Sequence, residues 1–207
     1  MKPSQKELFK WADQIPAALW TDLCNRSPQQ AAEAVGAAWD EGIFKVPMIG
    51  IDYTIDPANQ RITKTRQADQ PVSYQAGVVL LTTLATSKGV PPSGRMAVPQ
   101  ELPGGQMFFT GAHSVATGPL AKYFEKDSGQ LIDRALGVGG EMIKGADIAI
   151  RVPGLPYVPL YVLFWRGDDD FSARAVIGID DRAHFHLDLA GVFALTNILV
   201  YELCKVV

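Results

Sequence analysis

The sequence predicts an α+β fold, with mixed or antiparallel sheets packed with helices behind a helical N-terminus. Three observations carry this. Helical periodicity dominates the first forty residues, short β-branched and aromatic runs replace it from Ile43, and strand-rich stretches return late in the chain before one last apolar helix. With 207 residues, 47% of them hydrophobic, the chain is long enough to bury a real core, as a single domain over residues 1–207 or as two closely packed halves.

Ser4 and Glu7 have the spacing of a capping box, and Leu8, Trp11, Ile15, Leu19 and Leu23 follow at helical intervals, with Pro16 splitting the run. In "SPQQAAEAVGAAWDEG" Ser27 is placed to cap a second helix, Pro28 to take its first position and Gly42 to end it, so residues 1–42 read as a helical segment. "FKVPMIG", "IDYTID" and "RITKT" then read as strands, the last two joined across the turn "PANQ". A helix over residues 71–88 stops at Gly89. The proline- and glycine-rich middle predicts short strands over residues 96–98 and 107–110 between tight turns. Helices follow over residues 117–126 and 128–136, ending in "GVGGE". "ADIAIRV", "YVPLYVLFW" and "AVIGID" read as strands, and Asp188 caps the closing helix. Within "RVPGLPYVPL", Pro153, Pro156 and Pro159 indicate an edge strand kept from pairing.

The chain also resembles itself. "AGVVLLTTL" from Ala76 and "AGVFALTNI" from Ala190 share Ala, Gly, Val, Leu and Thr in register, and each follows strands that begin near a Val-Pro pair, Val46-Pro47 and Val152-Pro153. This predicts a duplicated strand-strand-helix unit over residues 43–89 and 146–205, packed about an approximate two-fold, with a ligand pocket between the halves.

Charge narrows the partners. With 19 basic and 22 acidic residues and a formal charge of -3, no positive field exists to condense onto phosphate backbones, so nucleic acid is not expected. "MKPSQKELFKWADQ" lacks the apolar core of a secretory signal and no apolar run is long enough to span a bilayer, so the expected location is cytoplasmic, away from membranes. Cys24 and Cys204 fall in predicted helices and read as reduced, packed thiols.

Two polar clusters are candidates for chemistry. In "FWRGDDDFSAR" three adjacent aspartates, Asp168, Asp169 and Asp170, do not alternate as the ligands of a calcium loop do, and they read as a solvated turn between strands. In "GIDDRAHFHLDL" the spacing of His184 and His186 suits two imidazoles on one face of a strand, but two histidines fall short of a divalent site. The clusters flank one strand and are expected at its opposite ends. His113 beside Ser114 is no nucleophile pair, and neither a G-x-S-x-G elbow nor a glycine-rich phosphate loop is present.

The ordered series "VPMIGIDYTID", "LLTTLATSKGVPPSG", "ELPGG", the Gly139-Gly140 pair, "LPYVPL", "WRGDDDF" and the closing helix resembles the domain of unknown function family 3786, a prokaryotic family seen mostly in anaerobes. Some of its members carry a cysteine-rich segment resembling an iron–sulphur cluster domain ahead of the shared region. With Cys24 and Cys204 alone this chain cannot ligate a cluster by itself. The resemblance implies a role near redox or metallocofactor metabolism and names no activity and no cofactor.

The leading expectation is a non-catalytic binding or accessory module for a small molecule, a cofactor or a partner protein. The alternatives are a metal-assisted hydrolase or lyase using Asp168–Asp170 or His184/His186, and a structural or oligomeric interaction protein. The candidate binding residues are Trp165 as an aromatic wall, Asp168, Asp169 and Asp170 as acceptors, Arg95 and Arg151 for an anionic group, and His113 as a further polar group; no metal site is assigned.

Overall fold

The structure is a computed structural model that describes residues 10–205. The Ser4–Glu7 capping box and Leu8 lie outside the described residues. Pro16 divides the first helical run as expected: a 3₁₀ turn (Ala12–Gln14) precedes it and α1 (Ala17–Cys24) follows. The second helix, α2 (Pro28–Val35), starts on its proline but stops earlier than predicted. Gly36 takes the left-handed conformation at φ 71°, its N–H and that of Ala37 returning to the Glu33 and Ala32 carbonyls, which closes the helix. Gly42 instead turns a hairpin between β1 (Ala38–Asp40) and β2 (Ile43–Met48).

The first sheet runs β1-β2-β3-β4, antiparallel throughout, with β3 (Ile51–Asp56) and β4 (Arg61–Lys64) where the strand pattern put them. Phe44, Val46, Met48, Tyr53, Ile55 and Ile62 alternate onto its buried face, while Lys45, Pro47 and Asp52 point outward. Each fully buried side chain of this size contributes about 1.5–3 kcal/mol, so the alternation fixes the register strongly. The helix α3 (Tyr74–Thr86) follows, capped by the Ser73 hydroxyl, which accepts from the Ala76 N–H at 3.2 Å.

The second sheet has the order β5-β9-β8-β7-β6, again antiparallel, from β5 (Met96–Ala97), β6 (Glu141–Met142), β7 (Ile148–Leu155), β8 (Val158–Trp165) and β9 (Arg174–Asp180). Contrary to expectation the prolines mark no edge strand, because β8 is the central strand and β7 is paired on both sides. The prolines gather where the ladder needs no N–H: Pro153 at a bulge between Val152 and Leu155, Pro156 in the hairpin turn, and Pro159 opposite the bulge. The expected strand over residues 107–110 is also absent. Gly104, at φ 78°, and Gly105, which packs so tightly on the Pro99 carbonyl that a Cβ would sit 2.2 Å from it, wind the chain into the short helix α4 (Gly105–Phe108). The helices α5 (Thr117–Phe124), α6 (Gly129–Gly137) and α7 (Leu189–Cys204) match their predicted places, and Asp188 caps α7 with a 2.7 Å bond from the Gly191 N–H.

One continuous hydrophobic core draws on both sheets and on α1–α3 and α5–α7, with α3 and α7 packed together. β2-β3-β4-α3 and β7-β8-β9-α7 are each three antiparallel strands followed by a helix, one strand more than the predicted unit. The shared letters align Ala76 with Ala190, yet the caps align Ser73 with Asp188, and burial follows the caps: Val78, Thr82 and Ala85 are half-buried, as are Phe193, Asn197 and Val200. The letter match is thus one residue out of step with the packing. The two sheets meet in a joint at the β2–β3 turn, where Ile49 and Gly50 both have positive φ, 48° and 70°, and the Ile49 N–H donates to the Pro153 and Gly154 carbonyls of the β7 bulge.

Candidate functional site

Beside this joint lies an open cleft of about 600 Å³, bounded by the β2–β3 turn, the end of β4, the C-terminal turn of α6 and the end of α7. Its apolar floor is Ile49, Ile51 and Val138, and its polar walls come from three distant stretches of chain: Asp52 with Lys64 and Arg66, then Asp133 with Arg134, then Glu202 with Lys205. Gly50 sets the wall-to-wall spacing, because a Cβ there would stand 2.7 Å from the Val138 Cα.

The charges in the cleft divide into two groups. Arg134 closes the C-terminus of α7, donating from Nη1 to the Leu203 carbonyl at 3.0 Å and to that of Lys205, which satisfies acceptors the helix leaves open. Lys205 pairs with Glu202, whose carboxylate, together with burial as the larger cause, pushes the Tyr53 phenol well above its ordinary range and keeps it protonated. The remaining groups are free to meet a ligand. Lys64 Nζ rests on the Gln70 side-chain oxygen at 3.2 Å, while Asp52, Asp133 and Arg66 have no hydrogen bond or ion pair to any described side chain.

The residues singled out from sequence lie elsewhere and in four places. Trp165 ends β8, and the Arg174 guanidinium, 4.2 Å from the ring centroid, stacks on it instead of neutralising the aspartates. Asp168, Asp169 and Asp170 form an exposed turn, in which Asp168 Oδ1 accepts from the Asp170 and Phe171 N–H groups at 2.9 and 2.8 Å. A dent beside them is lined also by Glu125 and Phe171, so every charged residue lining it is acidic.

Arg95 lies near the opposite end of β9, paired with Asp181. The Ser93 hydroxyl and then Arg95 hold the Asp181 carboxyl below its usual range. Asp180 beside it is fully buried and accepts from the Ser93, Gly94 and Arg182 N–H groups, so it ties a loop to the sheet. Arg151 lies within β7 and pairs with Glu141 of β6 at 2.9 Å. His113 stacks on Phe108 with ring centroids 4.6 Å apart and meets the edge of Phe193.

His184 and His186 do not share a strand face. They lie in and just after a 3₁₀ turn (Ala183–Phe185), where His184 is exposed and His186 is buried against Ser87 and Val90. Among the described residues no three His, Cys, Asp or Glu side chains converge into a metal-holding group.

The cleft residues escaped sequence reasoning because no motif links positions 52, 64, 66 and 133. The one available signal was the pair Lys64 and Arg66, two cations spaced by one residue at the end of the short strand "RITKT".

No curated protein and no solved structure matches the chain. The profile of a protein family described as Domain of unknown function (DUF3786) matches residues 27–202, from the start of α2 almost to the end of α7, and so takes in every wall of the cleft except Lys205. The chain therefore belongs to the DUF3786 family.

Proposed function

We propose that the protein is a non-catalytic binding module that holds a small molecule bearing both a positive and a negative group in the cleft between the first sheet and the ends of α6 and α7. The observation that carries this reading is the set of charges on the cleft walls that form no ion pair among the described residues, Asp52 and Asp133 together with Lys64, which rests on Gln70, and Arg66, beside the apolar Ile49, Ile51 and Val138. A concave site with an apolar floor and a few oriented polar groups is the usual form of a small-molecule pocket. The volume suits a molecule of metabolite size. The other titratable groups at the cleft are already engaged within the protein, Glu202 with Lys205 and Arg134 with α7 carbonyls, which leaves them to shape the walls and not to move protons.

The test is thermal denaturation and calorimetric titration of the purified protein against a panel of zwitterionic, anionic, cationic and neutral metabolites, on the native chain and on Arg66→Glu. Saturable stabilisation by zwitterions, weakened at least tenfold by Arg66→Glu and without ligand turnover, supports the reading. Binding that is indifferent to Arg66→Glu, or conversion of the ligand, overturns it.

A further inference from the structure

His186 is 1% exposed, and both of its ring nitrogens are engaged. Nδ1 lies 2.7 Å from the Ser87 hydroxyl and Nε2 lies 2.8 Å from the Val90 carbonyl oxygen. The Ser87 hydroxyl also lies 2.5 Å from the Ala34 carbonyl oxygen. The result is a chain of three links, Ala34 carbonyl to Ser87, Ser87 to His186, and His186 to Val90 carbonyl, whose two end atoms can only accept. Three links need three protons. A serine hydroxyl and a neutral imidazole supply two, whereas a serine hydroxyl and an imidazolium supply three.

We propose that Ala34, Ser87, His186 and Val90 form a proton-operated latch, in which uptake of one proton by the imidazole completes a hydrogen-bond chain that the neutral pair leaves one proton short. With Nε2–H bound to Val90, the neutral ring forces the Ser87 proton to choose between Nδ1 and the Ala34 carbonyl. In the charged ring Nδ1–H donates to the Ser87 oxygen, and the Ser87 hydroxyl is released to the Ala34 carbonyl. Both Ser87 links, to Nδ1 and to the Ala34 carbonyl, then hold at once, and the added proton comes from solvent.

The latch lies at a junction. Ala34 is in the last turn of α2, Ser87 ends α3, and His186 follows β9, so these bonds tie α2 and α3 to the segment after the second sheet's β9. Arg26 braces the same corner, donating to the Leu84 and Ser87 carbonyls at 2.9 and 2.8 Å, and the Lys88 N–H donates to the Phe185 carbonyl at 3.0 Å. Two residues beyond Ala34, Gly36 packs on Pro156 and Tyr157 of the β7–β8 turn. The charged and titratable groups around the ring are Arg26 from before α2, Lys88 from the segment after α3, Asp180 from the end of β9, His184 from its own turn, and the Tyr157 phenol, whose ring lies 5.9 Å away. Burial lowers the affinity of the imidazole for its proton and His184 opposes it slightly, while the Val90 carbonyl and the Asp180 charge favour it.

The experiment is an NMR titration of the His186 ring nitrogens in the full chain and in Ser87→Ala. If Ser87 accepts from the charged ring, its removal lowers the His186 midpoint by about one pH unit, the worth of one hydrogen bond to a charged group. If Ser87 serves only as a donor to the neutral ring, its removal raises the midpoint, and the proposal is overturned. A second readout uses the native chain alone, in case the variant fails to fold. The Lys88 amide, corrected for intrinsic rate, exchanges more slowly below the His186 midpoint than above it if the latch closes on protonation, and equal protection on both sides overturns the proposal.

Discussion

The β2–β3 turn is where a single methyl group reports most on the architecture, and Gly50→Ala is the perturbation that exposes it. Gly50 has φ 70°, and a Cβ there would meet three backbone atoms of Val138 at 2.7, 2.9 and 3.0 Å. A left-handed backbone costs a residue with a Cβ about 1–2 kcal/mol. Overpacking adds about 1–3 kcal/mol, and because the opposing atoms are backbone no rotamer change relieves it. The loss is therefore about 2–5 kcal/mol.

Gly42 provides the control. It takes the same second position of a two-residue hairpin turn, at φ 84°, but has nothing within 4 Å of its missing Cβ, so Gly42→Ala incurs only the conformational cost. In urea unfolding followed by circular dichroism, with a slope of about 2 kcal/mol per molar, Gly50→Ala lowers the midpoint by roughly 1–2.5 M and Gly42→Ala by roughly 0.5–1 M. Equal shifts for the two variants refute the close approach of the β2–β3 turn to α6.

Three further outcomes are expected. Asp168→Ala loses the two turn bonds at Oδ1 and about 1 kcal/mol of stability, whereas Asp169→Ala, whose carboxylate makes no described bond, changes it by less than about 0.5 kcal/mol; the same unfolding assay separates them. The raised Tyr53 pKa means that the unfolded chain ionises first, so stability declines as pH rises above about 10, and Tyr53→Phe removes that part of the decline in an alkaline series of melts. Asp188→Ala strips the cap from α7 at a cost of about 1 kcal/mol, and restoration by Asp188→Ser in thermal melts identifies the lost term as the cap bond.

Local physics explains what could be read from the chain alone. Alternation placed β2, β3 and β4, the helical period placed α3 and α7, and Ser73 and Asp188 cap them, because these signals act within a few residues. Asp168–Asp170 do form an exposed turn. The misreadings share one cause, which is that the deciding partner is remote in sequence. Gly36 rather than Gly42 ends α2 where the chain meets Pro156 and Tyr157, and Pro159 fits the central strand because a bulge in β7 faces it.

Membership of the DUF3786 family was likewise legible, since it rests on ordered motifs along one chain. The cleft was not. Asp52, Lys64, Arg66 and Asp133 come to line one cleft only when α6 folds against the β2–β3 turn, and nothing in their spacing announces it. His184 and His186 show the same division: two residues apart in the sequence, they differ because Ser87 and Val90, about a hundred residues earlier, enclose one ring and leave the other in solvent. Sequence sets the period, the caps and the turns through neighbours on the chain. Burial, pairing and the convergence of charges depend on neighbours in space, and only the tertiary structure decides those.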